Sequence, residues 1–120
     1  MAENKLADIS TEFAIQILKL AENIKGHYSL SNQLERSGTS IGANICEAGY
    51  AQSKKDFVSK MSIALKEAAE TEYWLELLLE GEFITQAQFD SLHADCVELI
   101  KMLTATINTT KRRIFLEEKI

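Results

Sequence analysis

The chain has 120 residues, of which 46% are hydrophobic and 26% are charged, and it contains no proline. This composition is typical of one folded domain spanning 1–120 and argues against a disordered chain. The formal net charge of −5 argues against non-specific binding to nucleic acid phosphates, which favours a positive protein surface.

Two cysteines are too few for a disulfide framework. Cys46 and Cys96 both occur at helical positions among apolar neighbours, so we expect them to be reduced core thiols in a cytoplasmic protein. The first residues lack a basic segment followed by an apolar run, and no stretch approaches 18 uncharged apolar residues. The sequence therefore predicts a protein that is neither secreted nor membrane-spanning.

Apolar residues at three- and four-residue steps predict four helices. The first covers 4–25 and ends at Gly26, and the second begins at a cap on Ser29 or Ser31 and runs to Ala48. The third opens with a capping box, Ser53 and Asp56, and ends at Gly81. The fourth opens with a second box, Thr85 and Gln88, and runs toward three basic residues at 111–113.

Loops of a few residues between long helices favour antiparallel neighbours. The sequence therefore predicts an all-α protein, an antiparallel up-down-up-down four-helix bundle. More than roughly 75% of the chain should be helical, well above the average for globular proteins.

The second predicted helix has three distinct faces. One is apolar, and a second consists of small residues that would let another helix approach closely: Gly38, Gly42, Cys46 and Gly49. The third is a polar stripe of Arg36, Ser40, Asn44 and Glu47, for which we expect buried structural pairing. Glu70 or Glu72 of the third helix is the expected partner of Arg36, and a ligand or phosphate role for the arginine is the alternative.

Several large apolar side chains of the third helix lie outside its core stripe, and the chain end is also apolar. Exposed patches with a tryptophan usually mark protein contacts. We therefore predict an oligomer interface that includes Gly38, Gly42, Ile63, Trp74, Leu77 and Phe115. The alternative is that a wide core face absorbs Leu78 and leaves Trp74 half-covered.

Basic residues cluster near two helix ends and could contact nucleic acid: Lys54, Lys55, Lys60, Lys111, Arg112 and Arg113. The alternative is that the first three belong to a solvated helix whose ends carry opposite charge, and that the last three favour the helix dipole at a C-terminus.

Catalysis and metal binding find little support in the sequence. His27 and His93 lack an acidic or cysteine partner at a ligand-like spacing, and no Glu-x-x-His pair suggests a di-iron bundle. We therefore predict no enzyme activity, no cofactor and no metal. A metal protein or enzyme using Glu47, Glu67, Glu70 and His93 is the least favoured alternative.

One pattern is more specific than any of these features. It consists of an arginine before a small-rich stretch, a Ser-Ile-x-x-Asn-Ile-x-Glu segment, a phenylalanine, and a helix with paired glutamates near a leucine-rich end. The residues that meet it are Arg36, Ser40, Ile41, Asn44, Ile45, Glu47, Phe57, Glu70, Glu72 and Leu75. The chain in this respect resembles the S23-like four-helix bundle proteins encoded within intervening sequences of bacterial 23S rRNA genes.

The resemblance implies a homopentamer of up-down bundles around a central channel. It also implies a relationship to the accessory protein of diversity-generating retroelements, a pentameric barrel that binds nucleic acid and a reverse transcriptase. We accordingly expect a non-enzymatic homo-oligomer, a pentamer, that acts as an interaction scaffold. The alternative is an accessory protein that binds RNA or DNA, and neither expectation involves a membrane.

Overall fold

The computed structural model describes the backbone of residues 2–119 and the side chains of residues 5–119. Four helices account for nearly all of them: α1 (Ala2–Glu22), α2 (Tyr28–Ala48), α3 (Lys54–Glu80) and α4 (Gln86–Glu118). They contain 21, 21, 27 and 33 residues. The predicted all-α fold and high helix content are confirmed.

Each helix contacts its neighbours along the chain, and α4 closes the bundle against α1. Because the connecting loops are short, successive helices run antiparallel, as predicted. The result is a rod 57 Å long and 21 Å wide in both other directions. Within residues 2–119, no helix combines the length and apolar character needed to cross a membrane.

The break between α1 and α2 lies where the sequence predicts it, but the caps differ. Gly26 adopts a positive φ of 83°, a conformation that glycine tolerates best. The residue that caps α2 is His27, without a side-chain hydrogen bond, and Ser31 is buried inside the helix. The predicted serine caps are therefore wrong, because the turn at Gly26 starts the helix earlier.

The two capping boxes guide the starts of α3 and α4. Ser53 accepts a hydrogen bond from the backbone N–H of Asp56, as predicted, while the Asp56 carboxylate accepts one from the N–H of Gln52. Thr85 and Gln88 form a complete reciprocal box. Capping thus fixes where both long helices of the second half begin.

The C-terminus of α3 ends in a Schellman turn whose left-handed residue is Glu82. The N–H of Glu82 bonds to the carbonyl of Leu79 at 3.0 Å, and that of Phe83 bonds to the carbonyl of Leu78 at 2.9 Å. Glu82 has φ 62°, whereas Gly81 before it is right-handed. The predicted stop at Gly81 is confirmed, but the residue in the position that favours glycine is a glutamate.

The core follows the predicted apolar stripes. Its largest fully buried side chains include Phe13 of α1, Leu34 and Ile41 of α2, Leu75 of α3 and Leu103 of α4. Leu78 is also fully buried, so the wide core face of α3 absorbs it. The two cysteines differ: Cys96 is buried, whereas Cys46 is exposed, so the prediction of a core position for Cys46 is wrong.

The small face of α2 packs against α1 of the same chain. A Cβ added at Gly38 would lie 2.8 Å from Cγ2 of Ile17, and one at Gly42 would lie 3.2 Å from Oγ of Ser10. The helix that approaches both glycines closely is therefore α1 of the same chain, and a contact of Gly38 and Gly42 with another protomer stays a prediction.

Candidate functional site

Polar side chains of α2 contact polar side chains of α3. Inside the bundle, Oγ1 of Thr71 donates to Oγ of Ser37 at 2.9 Å, and both residues are fully buried. A carbonyl of its own helix also lies within reach of each hydroxyl, Leu34 O at 3.4 Å from Ser37 and Glu67 O at 2.8 Å from Thr71, and each hydroxyl donates its one proton to one acceptor at a time. The pair satisfies two buried polar groups and fixes how α2 sits on α3.

Outside this pair, Arg36 of α2 reaches two carboxylates of α3. Its Nη1 lies 3.2 Å from Oε2 of Glu67, and its Nη2 donates to Oε1 of Glu70. The hydrogen bond from Arg36 lowers the pKa of Glu70, and the same bond raises the pKa of Arg36. The expected partner Glu70 is present, but the Arg36 side chain is 48% exposed, so the pair is a surface feature rather than a buried one.

The other members of the predicted polar pairing lie elsewhere. Asn44 is half-buried, and its Nδ2 donates to the carbonyl of Ser40 in the same helix at 2.8 Å. Glu47 is exposed. Glu72 faces α4, where it contacts His93 rather than Arg36. The stripe therefore does not form one buried network.

Apolar side chains flank the Arg36 ion pair on the outer side of α3. Ile63 and Leu77 are 40% and 38% exposed, Tyr73 is 56% exposed, and Trp74 is half-buried against the core. Nε1 of Trp74 donates to Oε1 of Glu70 at 3.3 Å, and the rings of Tyr73 and Trp74 meet edge to face. We call these four residues the α3 patch.

A second apolar surface lies on α1. Ile15 and Leu18 are 41% and 42% exposed, and they project from the side of α1 that does not carry its core residues. We call these two residues the α1 patch. Among the described residues α1 and α3 make no contact with each other, so the two patches belong to different faces of the rod.

Two of the predicted basic residues form ion pairs with carboxylates of α4. Lys54 forms an ion pair with Glu117, and Lys55 forms one with Glu118 at 3.0 Å, so the start of α3 is tied to the end of α4. Lys60 is half-buried on α3. The remaining three are exposed on α4: Lys111, Arg112 and Arg113.

The apolar chain end extends α4 as further helical turns. Phe115 is 56% exposed, and the ammonium group of Lys119 lies 4.7 Å from the centre of its ring. Phe115 thus lies at one end of the rod. The apolar chain end is therefore part of α4, which continues to Glu118.

One cluster was missed by sequence reasoning. Nε2 of His93 lies 2.9 Å from Oε2 of Glu72 and 4.0 Å from Oε1 of Glu76. The ring of Phe89, one turn earlier on α4, stacks on the imidazole with centroids 4.7 Å apart. The expectation that His93 lacks acidic partners is wrong, because those partners lie on the adjacent antiparallel helix, a relation that spacing along one helix does not show.

Comparison with known proteins supports the resemblance drawn from the sequence. The profile of the 23S rRNA-intervening sequence protein family matches residues 2–105. No curated protein matches the chain at a significant level. A crystal structure of a protein of unknown function from the S23 ribosomal protein family of Bacteroides thetaiotaomicron VPI-5482 is 49% identical. It covers 90% of this chain and 99% of its own, with a TM-score of 0.85.

Proposed function

Because the chain belongs to the 23S rRNA-intervening sequence protein family, we propose that it assembles with copies of itself into a non-enzymatic interaction scaffold, a pentameric ring. The observation that carries the proposal is the pair of apolar surfaces, the α3 patch and the α1 patch. Exposed apolar groups of this size are costly in water and usually mark protein contacts. The free thiols Cys46 and Cys96 support a cytoplasmic location.

Two different patches suit a ring better than a two-fold dimer. A head-to-tail contact joins one surface of a protomer to a different surface of the next, and it closes into a ring when the rotation allows. The α3 patch of one copy would meet the α1 patch of the next. Beside the α3 patch, Arg36 offsets one of the two negative charges of Glu67 and Glu70.

Nucleic-acid binding is less well supported as the main role. Two of its predicted contacts, Lys54 and Lys55, are engaged with Glu117 and Glu118. The net charge of −5 per chain adds up in any homo-oligomer and repels phosphates. The scaffold proposal is therefore preferred over the accessory-protein alternative.

Two leucine substitutions test the assembly. Leu77→Glu introduces a carboxylate into the α3 patch, and Leu18→Glu introduces one into the α1 patch, at similar exposure. Light scattering should show that each variant falls to the mass of one chain, 13.5 kDa. An equimolar mixture keeps one intact α3 patch facing one intact α1 patch and should form a dimer.

Tyr50→Glu is the matched control, because Tyr50 is 86% exposed in the loop before α3 and belongs to neither patch. It should keep the wild-type mass. Trp74→Glu should also reduce the mass, although Trp74 packs on the core as well, so Leu77→Glu is the cleaner test. A wild-type mass for Leu18→Glu would disprove the head-to-tail arrangement, and a wild-type mass for Leu77→Glu would remove the α3 patch from the interface.

A further inference from the structure

We propose that Glu72, Glu76 and His93 form a binding site for a divalent transition-metal ion, with Zn²⁺ as its representative. Each residue offers one ligand atom, and the three atoms lie within 4.8 Å of one another. In a tetrahedral zinc site, ligand atoms about 2.0–2.2 Å from the metal lie about 3.4 Å apart. The distances from Nε2 of His93, 2.9 Å to Glu72 and 4.0 Å to Glu76, bracket that value.

The backbone already holds these ligands in place. Glu72 and Glu76 are one turn apart on α3, so their carboxylates project from the same side of the helix. His93 comes from α4, which packs antiparallel to α3, and the ring of Phe89 stacks on its imidazole at an interplanar angle of 16°. Only side-chain rotations are needed to bring three ligand atoms to one point.

The charge of the cluster distinguishes it from the neighbouring acidic pair on α3. Glu67 and Glu70 share one arginine, Arg36, whose positive charge offsets one of their two negative charges. Among residues 5–119, by contrast, neither Glu72 nor Glu76 has a lysine or arginine within ion-pair distance, and His93 is their basic neighbour. Two carboxylates that share one imidazole leave a negative site, which a divalent cation would neutralise.

The ligand types select the class of metal. One imidazole nitrogen with two carboxylate oxygens suits zinc and its first-row neighbours, whereas calcium and magnesium prefer oxygen alone. Three protein ligands leave a fourth position open to water. Glu72 and His93 are each 31% exposed and Glu76 is 56% exposed, so the ion could enter from solvent.

The site is independent of the proposed assembly. Glu72 and Glu76 contact His93 of α4, whereas Trp74 of the α3 patch lies toward α2, where Glu70 contacts both Arg36 and Trp74. Metal binding can therefore be measured on the full chain whatever its oligomeric state. The absence of metal binding would therefore not contradict the proposed assembly, and the absence of assembly would not contradict the metal site.

Isothermal titration of the full chain with ZnCl₂, after treatment with a chelator, tests the site. We expect saturation at one zinc ion per chain. His93→Gln and Glu76→Gln should each weaken binding at least about tenfold, since even losing a supporting group near a metal typically costs 10–100-fold. The same titration with MgCl₂ should show binding at least about tenfold weaker than zinc.

Matched controls separate this site from other zinc ligands. His27→Gln removes the loop histidine, Glu80→Gln removes another exposed carboxylate of α3, and Cys46→Ser removes the exposed thiol. All three should keep the wild-type affinity. The proposal is overturned if zinc does not saturate at one ion per chain, or if His93→Gln and Glu76→Gln bind as tightly as the controls. Because Glu76 is exposed, Glu76→Gln remains informative even if His93→Gln folds poorly.

Discussion

At the scale of single residues, two glycines of α2 differ in the space beside them. A Cβ on Gly38 would meet the branched side chain of Ile17, which is fully buried, at 2.8 Å. A Cβ on Gly42 would lie 3.2 Å from Oγ of Ser10, a longer distance that a shift of a few tenths of an ångström relieves. The same substitution should therefore have opposite effects at the two positions.

We predict that Gly38→Ala destabilises the protein and that Gly42→Ala is neutral or stabilising. Overpacking at Gly38 costs about 1–3 kcal/mol, while replacing glycine by alanine inside a helix gains about 1 kcal/mol at either site. Urea denaturation at a fixed protein concentration measures both. Equal midpoints for the two variants would contradict the close contact of α2 with α1 at Gly38.

The ion pair between Arg36 and Glu70 predicts that the stability of the protein depends on pH. The pKa of Glu70 is lowered in the folded state, first by the hydrogen bond from Arg36. The stabilisation that ionised Glu70 provides is therefore present above 4.5, the ordinary pKa of the group, and is lost as the pH falls through the lower folded value. The effect is small because the pair lies at the surface, where solvent screens the 48% exposed Arg36 side chain.

Glu70→Gln should accordingly be less stable than the wild type at neutral pH and low salt. The difference in thermal midpoint should shrink as the pH is lowered below 4.5. Glu47→Gln, a change at an exposed glutamate of α2, serves as the control and should match the wild type throughout. A difference that stays constant or grows on acidification would show that the charge of Glu70 is not what stabilises the fold.

At the scale of helices, the turn after α3 is suboptimal. Its left-handed residue is Glu82, although glycine tolerates that conformation far better than any residue with a Cβ. Gly81, one residue earlier, is right-handed, and a Cβ there would lie 2.5 Å from the ring of Phe83. Each position therefore favours glycine for a different reason.

Glu82→Gly should stabilise the protein by about 0.5–1 kcal/mol, because it relieves a left-handed backbone strain of about 1–2 kcal/mol at the expense of glycine's greater freedom when unfolded. Gly81→Ala should destabilise it through the contact with Phe83. Thermal unfolding followed by circular dichroism compares the two variants. A lower midpoint for Glu82→Gly would mean that the glutamate side chain stabilises the turn more than its backbone strains it.

The helices themselves could be predicted from local signals, because each signal acts within a few residues. Apolar periodicity located all four helices, and the Thr85 box was read correctly from the sequence. The start of α2 was missed because the turn at Gly26 outweighs the capping preference of Ser29 and Ser31. The residue at which a helix begins depends on such competition between neighbouring turn and capping residues.

Contacts between helices were harder to predict than the helices. Periodicity gives the angle of a residue on its own helix but not which neighbour covers it, so the sequence does not show that α1 of the same chain packs on Gly38 and Gly42. The contact of His93 with Glu72 spans 21 residues, and it depends on the register between α3 and α4. The pairing of Arg36 with Glu70 was anticipated, but its exposure was not.

At the scale of the whole molecule, the four helices bury one apolar core and leave further apolar side chains exposed on two separate faces. The buried side chains hold the four helices together, whereas Ile15 and Leu18 of the α1 patch and Ile63, Tyr73 and Leu77 of the α3 patch are each 38–56% exposed in the described chain. Proteins of this size rarely expose such groups without a contact to cover them. The proposed function therefore requires that the chain assembles with copies of itself.

The mass of the wild-type protein in solution, measured by light scattering across a range of concentrations, tests this central claim most directly. The account predicts a particle of about five times the 13.5 kDa of one chain, stable on dilution because the covering of both patches closes the ring. A particle of 13.5 kDa at every concentration would contradict it, since both patches would then be exposed to water in the functional protein.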